Sequence, residues 1–239
     1  ITYCDVQGQN TVSVPALTTA AGVIFINSAS ATTNNGNDKN IISYCNVHGT
    51  GTTTSTFPTV GICAYGTQTT TATYNDTCTI TNCNIYDIFN ATLAATHVKI
   101  DLGNTAWNIT NNRFYQTTSI NYGTSTAVYR ALWVTPNVSN IANAANGFII
   151  TGNFIGGSNA SGTGTTVMTG SSTYSYWAMD ISVGLGTPTS VQNNTITNLD
   201  ITTANTGSAA MEGINIANGN ANVGTLAGNL VGSTTSTPG

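Results

Sequence analysis

Charge is what this chain has least of. Only 5% of its 239 residues are charged, four cations against eight anions, for a formal net charge of −4. So few Lys and Arg cannot neutralise a phosphate backbone or an anionic bilayer surface, which excludes nucleic acid as a partner. Long apolar runs are missing too: nowhere do about 18 apolar residues follow one another, so no membrane insertion is expected. The motifs around the five cysteines lack the paired C-x-x-C spacing, and the histidines, of a zinc site, so neither a metal nor another cofactor is implied. No charged and apolar leader stands at Ile1, and the chain reads as a piece of a longer protein whose export signal lies elsewhere or has been removed. A single domain over 1–239 is long enough to bury a sizeable core.

What is abundant is Thr, Asn, Ser and Gly, neutral polar residues that favour turns and strand faces over helix interiors. Against that background one phrase recurs. "ITYCDVQG" opens the chain, "ISYCNVHG" follows at Ile42 to Gly49 and "ITNCNIYD" at Ile80 to Asp87. Allowing Asn in the fourth place adds "ITNNRF", "ITGNFI", "VQNNTI" and "LAGNLV". The shared column is Cys4, Cys45, Cys83, Asn112, Asn153, Asn194 and Asn229, at intervals of 41, 38, 29, 41, 41 and 35 residues. Unequal intervals between equal motifs mean fixed strands joined by loops of variable length.

A second motif falls once in each interval: "GVIFI", "GICAY", "HVKID", "ALWVT", "AMDIS" and "GINIA". Apolar residues two apart mark a half-buried strand. Two alternating strand motifs with Asn in a fixed turn position resemble the right-handed parallel β-helix. The resemblance implies an all-β, single-stranded parallel β-helix of six to seven coils with long variable loops and an inner Cys/Asn ladder. Coils stacked at the strand spacing of roughly 4.8 Å would make a rod about 30 Å long.

The ladder explains the repeated phrase. A buried Asn at an inner corner meets its copies above and below and can pass amide hydrogen bonds along the file, so Asn selects Asn. Cys is the other solution, a small residue of low polarity that asks for no partner. Five cysteines cannot all pair, and structural thiols are expected, with Cys63 to Cys78 as the bridge if one exists.

The second motif is expected to point Val23, Ile62, Val98, Leu132, Met179 and Ile214 inward, with Phe25, Ala64, Ile100, Val134, Ile181 and Ile216 two places on. Trp107 and Phe148 share a register before the ladder and are expected in the core. Outward then lie Ile24, Cys63, Lys99, Trp133, Asp180 and Asn215, flanked by His97 and Asp101. On the ladder side the outward column is Gln7, His48, Tyr86 and Tyr115, beside Asp5, Asn46, Asn84 and Arg113. Exposed rings stack on sugars and amides or carboxylates take their hydroxyls, so His97, Lys99, Asp101, Trp133, Asp180, Asn215, Tyr86 and Tyr115 are the candidate carbohydrate-binding residues. The competing expectation is that long loops cover both faces.

No catalytic residue is assigned. Many β-helix proteins are polysaccharide lyases or glycoside hydrolases, which is the alternative function, yet no two of the eight acids occupy the same strand motif in the same or adjacent coils, and only Lys99 and Arg130 lie near Asp101 and Asp180. "NNGNDKN" (Asn34 to Asn40) has one carboxylate among amides and reads as a polar loop or a weak calcium turn. Ice binding would need regular T-x-T ladders, whereas "TTTST" and "TQTTTAT" sit in connections. Low charge, abundant Thr and Asn and loose PbH1-type repeats resemble the large adhesin-like surface proteins of Bacteroidota exported by type IX secretion. That resemblance implies an extracellular or cell-surface structural and adhesive segment, with a polysaccharide or surface glycan and adjoining β-helix coils as partners.

Overall fold

A computed structural model describes residues 1–28, 36–51, 53–67, 70–136 and 145–232. The chain is a parallel β-helix, in which each coil lays one strand in each of three sheets. The ladder sheet has seven strands, Asp5–Gly8, Asn46–Gly49, Asn84–Tyr86, Arg113–Tyr115, Phe154–Ile155, Thr195–Ile196 and Leu230–Val231. The flank sheet has six, Ile41–Ser43, Thr79–Thr81, Asn108–Thr110, Ile149–Thr151, Thr189–Gln192 and Ala221–Val223. The wall sheet has six longer strands, Ile24–Ser28, Val60–Gly66, Ala95–Ile100, Val128–Val134, Ser175–Ser182 and Met211–Asn218. Two- and three-stranded parallel sheets extend some coils. The Thr-rich connections fold as 3₁₀ turns at Thr54–Thr56 and Thr71–Thr73, while Thr52, Gln68 and Thr69 lie outside the described residues.

Apolar columns from the three sheets meet inside. Ile42, Ile80, Ile109, Ile150 and Val191 stack in register on the flank sheet, and Val47, Ile85, Phe114, Ile155 and Ile196 on the ladder sheet. All ten are at most 2% exposed, and burial of such a side chain contributes about 1.5–3 kcal/mol. Trp107 and Phe148 are fully buried, as expected.

The ladder column runs as one file. Each member's carbonyl accepts the backbone N–H that follows the next member, from Cys4 with Asn46 at 2.9 Å to Asn194 with Leu230 at 2.8 Å. In the first six coils the bend at these side chains comes from the residue before each: Tyr3, Tyr44, Asn82, Asn111, Gly152 and Asn193 all have φ between 52° and 70°. Asn and Gly enter that left-handed region most readily, which is why the motif reads Asn-Asn or Gly-Asn in the later coils.

Two register expectations are corrected. In the first wall strand Ile24 pairs with Ile62 and Phe25 with Cys63, so Ile24 and Ile26 face inward and Phe25 joins the outward column. The motif aligned Gly22 with Gly61, but Gly22 turns with φ +91° before the strand begins, adding one residue. The second correction concerns Gly61, His97, Ala131, Ala178 and Gly213, which the strand pairing skips. Ala131 and Ala178 are fully buried, and a Cβ on Gly61 would come within 2.9 Å of Ile85. This position therefore faces inward next to another inward residue, and the strict alternation read from the sequence breaks there.

Candidate functional site

On the outside of the wall sheet two columns run side by side. Thr96, Arg130, Trp177 and Glu212 are in register, as are Cys63, Lys99, Trp133, Asp180 and Asn215. The extra inward residue sets both columns on the same face, three positions apart. Five of the chain's twelve charged side chains gather here with two of its three tryptophans. Four of the five charges pair with one another, while Glu212 keeps a buried carboxylate oxygen with no hydrogen-bond partner among the described residues. Lys99 Nζ lies 2.8 Å from Asp101 Oδ2, and Arg130 Nε donates to Asp180 Oδ2 at 2.7 Å. The Arg130 guanidinium lies 4.2 Å from the Trp133 ring centre and 4.6 Å from that of Trp177, while Lys99 Nζ lies 4.4 Å from Trp133. Asn215 Nδ2 donates to the other Asp180 oxygen at 3.1 Å, and Trp177 Nε1 to Ala209 O at 2.8 Å.

The N-terminal connection lies over one end of this face. Ser13 O accepts from Lys99 Nζ at 3.4 Å, and Ala21, Val12 and Phe25 pack on Cys63. Lys99 and Asp180 are 3% and 5% exposed, so these two candidates are covered, while Trp133 and Asn215 are half-buried. Burial lowers the Arg130 pKa, with Asp180 opposing, and pushes the Cys63 thiol up to about 12. Trp177 was legible but missed: "YRALWV" and "YWAMDI" align from the tyrosine onward, two residues before the motif as drawn.

No family model, curated protein or solved structure matches this chain.

His97 is placed inside rather than beside the outward column. Its neighbours in the skipped position are Gly61 and Ala131, whose small size leaves room for the ring to turn into the core. There Nε2 lies 3.2 Å from Tyr115 O, and the Tyr129 hydroxyl is 3.3 Å from Nδ1. Gln116 Nε2 donates to that hydroxyl at 2.6 Å and to Ile88 O at 2.8 Å. Burial lowers the His97 pKa from its ordinary 6.5 to about 4. Between those values the unfolded chain binds a proton that the folded chain refuses, so this group's contribution to stability is lost as pH falls from 6.5 towards 4. At pH 4.5 the loss should reach roughly 2–3 kcal/mol relative to pH 7. His97→Gln is expected to remove that component of the pH dependence; urea unfolding of both proteins at the two pH values measures it, and an unchanged slope would refute a neutral buried imidazole.

The outer face of the ladder sheet is different. His48, Tyr86 and Tyr115 form a stack of nearly parallel rings with centroid separations of 4.6 and 4.9 Å. Tyr115 is 6% exposed, whereas Tyr86 and His48 are half-buried. His48 Nε2 lies 3.1 Å from Asp5 Oδ1. Burial raises the Tyr86 pKa, with Asp5 and Asp87 adding to it. Asn84 Nδ2 donates to Asn46 Oδ1 at 2.9 Å, and the next member of that column is Arg113. The two candidate clusters thus belong to different sheets.

Among the described residues no three His, Cys, Asp or Glu side chains gather as a metal site. In "NNGNDKN", Asn34 and Asn35 lie outside the described residues, and Asp38 Oδ1 accepts from the Asp76 N–H at 2.9 Å. All five thiols are free: Cys63 faces outward on the wall, while Cys78 is fully buried in the core beside the flank sheet. In its first four strands the flank sheet carries a hydroxyl column of Ser43, Thr81, Thr110 and Thr151, which passes to Gln192 in the fifth, beside a mixed column of Ile41, Thr79, Asn108 and Ile149 rather than a second Thr file. Nor does any described helix have the length and apolarity to cross a membrane.

Proposed function

We infer that this chain is a non-catalytic structural and adhesive segment of an extracellular or cell-surface protein, and that it meets carbohydrate on the outer face of the ladder sheet. One contrast carries the reading. On the wall the cations already hold carboxylates at 2.7 and 2.8 Å, so a sugar there would have to displace buried ion pairs. On the ladder sheet the stacked rings form one outward column, and two residues earlier on the same strands Asn84 and Arg113 line an open groove, so rings and amides share one face, the combination that takes up a sugar ring and its hydroxyls.

The enzyme alternative requires two carboxylates placed to act as acid and base or nucleophile. Asp101 and Asp180 instead each hold a cation, and Asp87 accepts from Thr117 N and Oγ1 at 2.8 and 2.7 Å. Low charge, abundant Thr and Asn and the coil repeats support the surface location and the Bacteroidota, type IX and adhesin resemblance. Adjoining coils of the parent protein are the second proposed partner, supported by the exposed Met211 and Val231 on the last wall and ladder strands.

Affinity electrophoresis and a glycan array with the whole chain test the reading. Retention without release of reducing ends or unsaturated products is expected. Tyr86→Ala should weaken it about tenfold, the loss of roughly one ring contact, and Trp133→Ala should leave it unchanged. Binding abolished by Trp133→Ala and spared by Tyr86→Ala would move the site to the wall; turnover of any polysaccharide would replace adhesion by catalysis.

A further inference from the structure

Of the four cationic side chains, two are consumed by the wall, Lys99 and Arg130. Arg113 is not: among the described residues no carboxylate pairs with its guanidinium and no side-chain acceptor takes its protons. The group is nonetheless held in place. It lies 4.7 Å from the centre of the Phe154 ring, its outward neighbour one coil on. Phe154 in turn packs against Gly162, where a Cβ would come within 2.8 Å of the ring. That glycine belongs to a short loop closed by Ser158 N to Thr163 O at 2.8 Å and Asn198 Nδ2 to Gly162 O at 2.8 Å. An Arg that is oriented by a ring but left without an anion is pre-organised for one.

The space beside it is a groove of about 450 Å³ lined by Asn82, Asn84, Asn111, Arg113, Gly152 and Ala160 among others. Its side is built by the left-handed turn residues of consecutive coils. Asn111 and Gly152 are such a pair, and a Cβ on residue 152 would collide with the Asn111 amide oxygen. Asn84 donates its amide hydrogen sideways to Asn46, which leaves its carbonyl oxygen for a hydroxyl donor. The nearest acid in the same outward column, Asp5, is three strands away along Asn46 and Asn84. At the strand spacing that carboxylate is roughly 14 Å from Arg113, beyond a Debye length of about 8 Å at physiological salt.

We propose that this groove is a subsite for an anionic sugar, with Arg113 taking a carboxylate or sulfate ester in bidentate fashion and Asn82, Asn84 and Asn111 taking the neighbouring hydroxyls. A planar guanidinium with parallel N–H groups matches both oxyanions, and amides flanking it match the hydroxyls of the same ring. The proposal rests on the adhesive reading above and adds its ligand class.

Calorimetric titration of the whole chain at 150 mM salt, roughly physiological ionic strength, with three oligosaccharides of equal length tests it: an oligogalacturonide, a sulfated galactan fragment and a neutral galactan fragment. At least one acidic probe should bind about tenfold more tightly than the neutral one, and the better of the two identifies carboxylate or sulfate. Arg113→Gln should abolish that preference, and Arg113→Lys should restore part of it, both with the melting temperature of the parent to show an intact fold. Equal affinity for neutral and acidic probes, or a preference that survives Arg113→Gln, overturns the subsite and leaves the adhesive reading standing. Binding to no member of this panel and none of the array overturns both.

Discussion

Replacing Asn153 by Cys is expected to destabilise the coil severely, whereas replacing Cys83 by Asn is expected to be nearly neutral, although the two side chains differ little in size. The file is directional. The Asn153 amide oxygen accepts from both the backbone N–H and Nδ2 of Asn112, each at 3.1 Å, and Asn194 serves Asn153 in the same way at 3.0 Å. Each side chain also donates backwards to one carbonyl of the previous coil: Asn112 to Ile80, Asn153 to Ile109, Asn194 to Ile150 and Asn229 to Val191, all at 2.8–2.9 Å. The single S–H of each thiol lies within reach of two carbonyls, the nearer in its own coil, Cys83 to Thr81 at 3.3 Å and Cys45 to Ser43 at 3.2 Å, and the farther the equivalent one of the previous coil, Ile42 at 3.6 Å and Ile1 at 3.7 Å. Cys therefore does find a partner, contrary to the sequence expectation. It supplies the donor half of what Asn does and lacks the acceptor half.

Asn153→Cys then keeps the bond to Ile109 but leaves two donors of Asn112 buried without an acceptor. At about 1–3 kcal/mol for each, the cost is roughly 2–6 kcal/mol. For a chain of this length that lowers the melting temperature by about 5–15 °C. Cys83→Asn extends the amide file instead: the new Nδ2 reaches Ile42 O and Asn112 Oδ1, the new Oδ1 reaches the Cys45 N–H, and the change stays within about 1 kcal/mol. Thermal melts of both variants under reducing conditions decide it, and equal losses would mean that the file is packed rather than hydrogen-bonded. The same asymmetry accounts for the order along the chain. Cys83 passes to Asn112 without loss because Asn112 Oδ1 accepts the Cys83 N–H at 3.0 Å, whereas an Asn followed by Cys would be left with orphaned donors.

Asp180→Ala should be the second large effect. The Arg130 and Asp180 side chains are 9% and 8% exposed, so removing the carboxylate leaves a guanidinium confined between two indole rings with only Glu212 to offset it. Breaking a buried pair from one side costs about 3–5 kcal/mol, while replacing both partners by apolar residues of similar volume costs far less. Arg130→Met with Asp180→Leu is therefore expected to recover most of the stability lost in Asp180→Ala. Guanidinium denaturation at a fixed salt concentration measures the three proteins. If the double variant is as unstable as the single one, the contribution comes from packing of the Arg130 side chain on Trp133 and Trp177 rather than from charge.

How far these sites were readable depends on the kind of interaction. Asn112, Asn153, Asn194 and Asn229 repeat at every coil and touch their own copies, so their partners were visible in the order of the letters. The outward column beyond the first coil was readable for the same reason, since period-two alternation carries the face of each residue. His97 was misplaced because one skipped position in the strand turns two successive residues inward, and no spacing in the sequence marks that skip. Arg130 and Trp177 became neighbours of Trp133 through the same skip.

The sequence alone determined a parallel β-helix, its Cys/Asn file and the absence of a highly charged surface, because coil stacking makes each residue's nearest partner its own repeat. Only the tertiary structure decided which outward groups are already satisfied and which are free. Lys99, Arg130, Asp101 and Asp180 meet across strands and under the N-terminal connection, through loops whose lengths follow no period. Arg113 is left with a ring on one side and an open groove on the other.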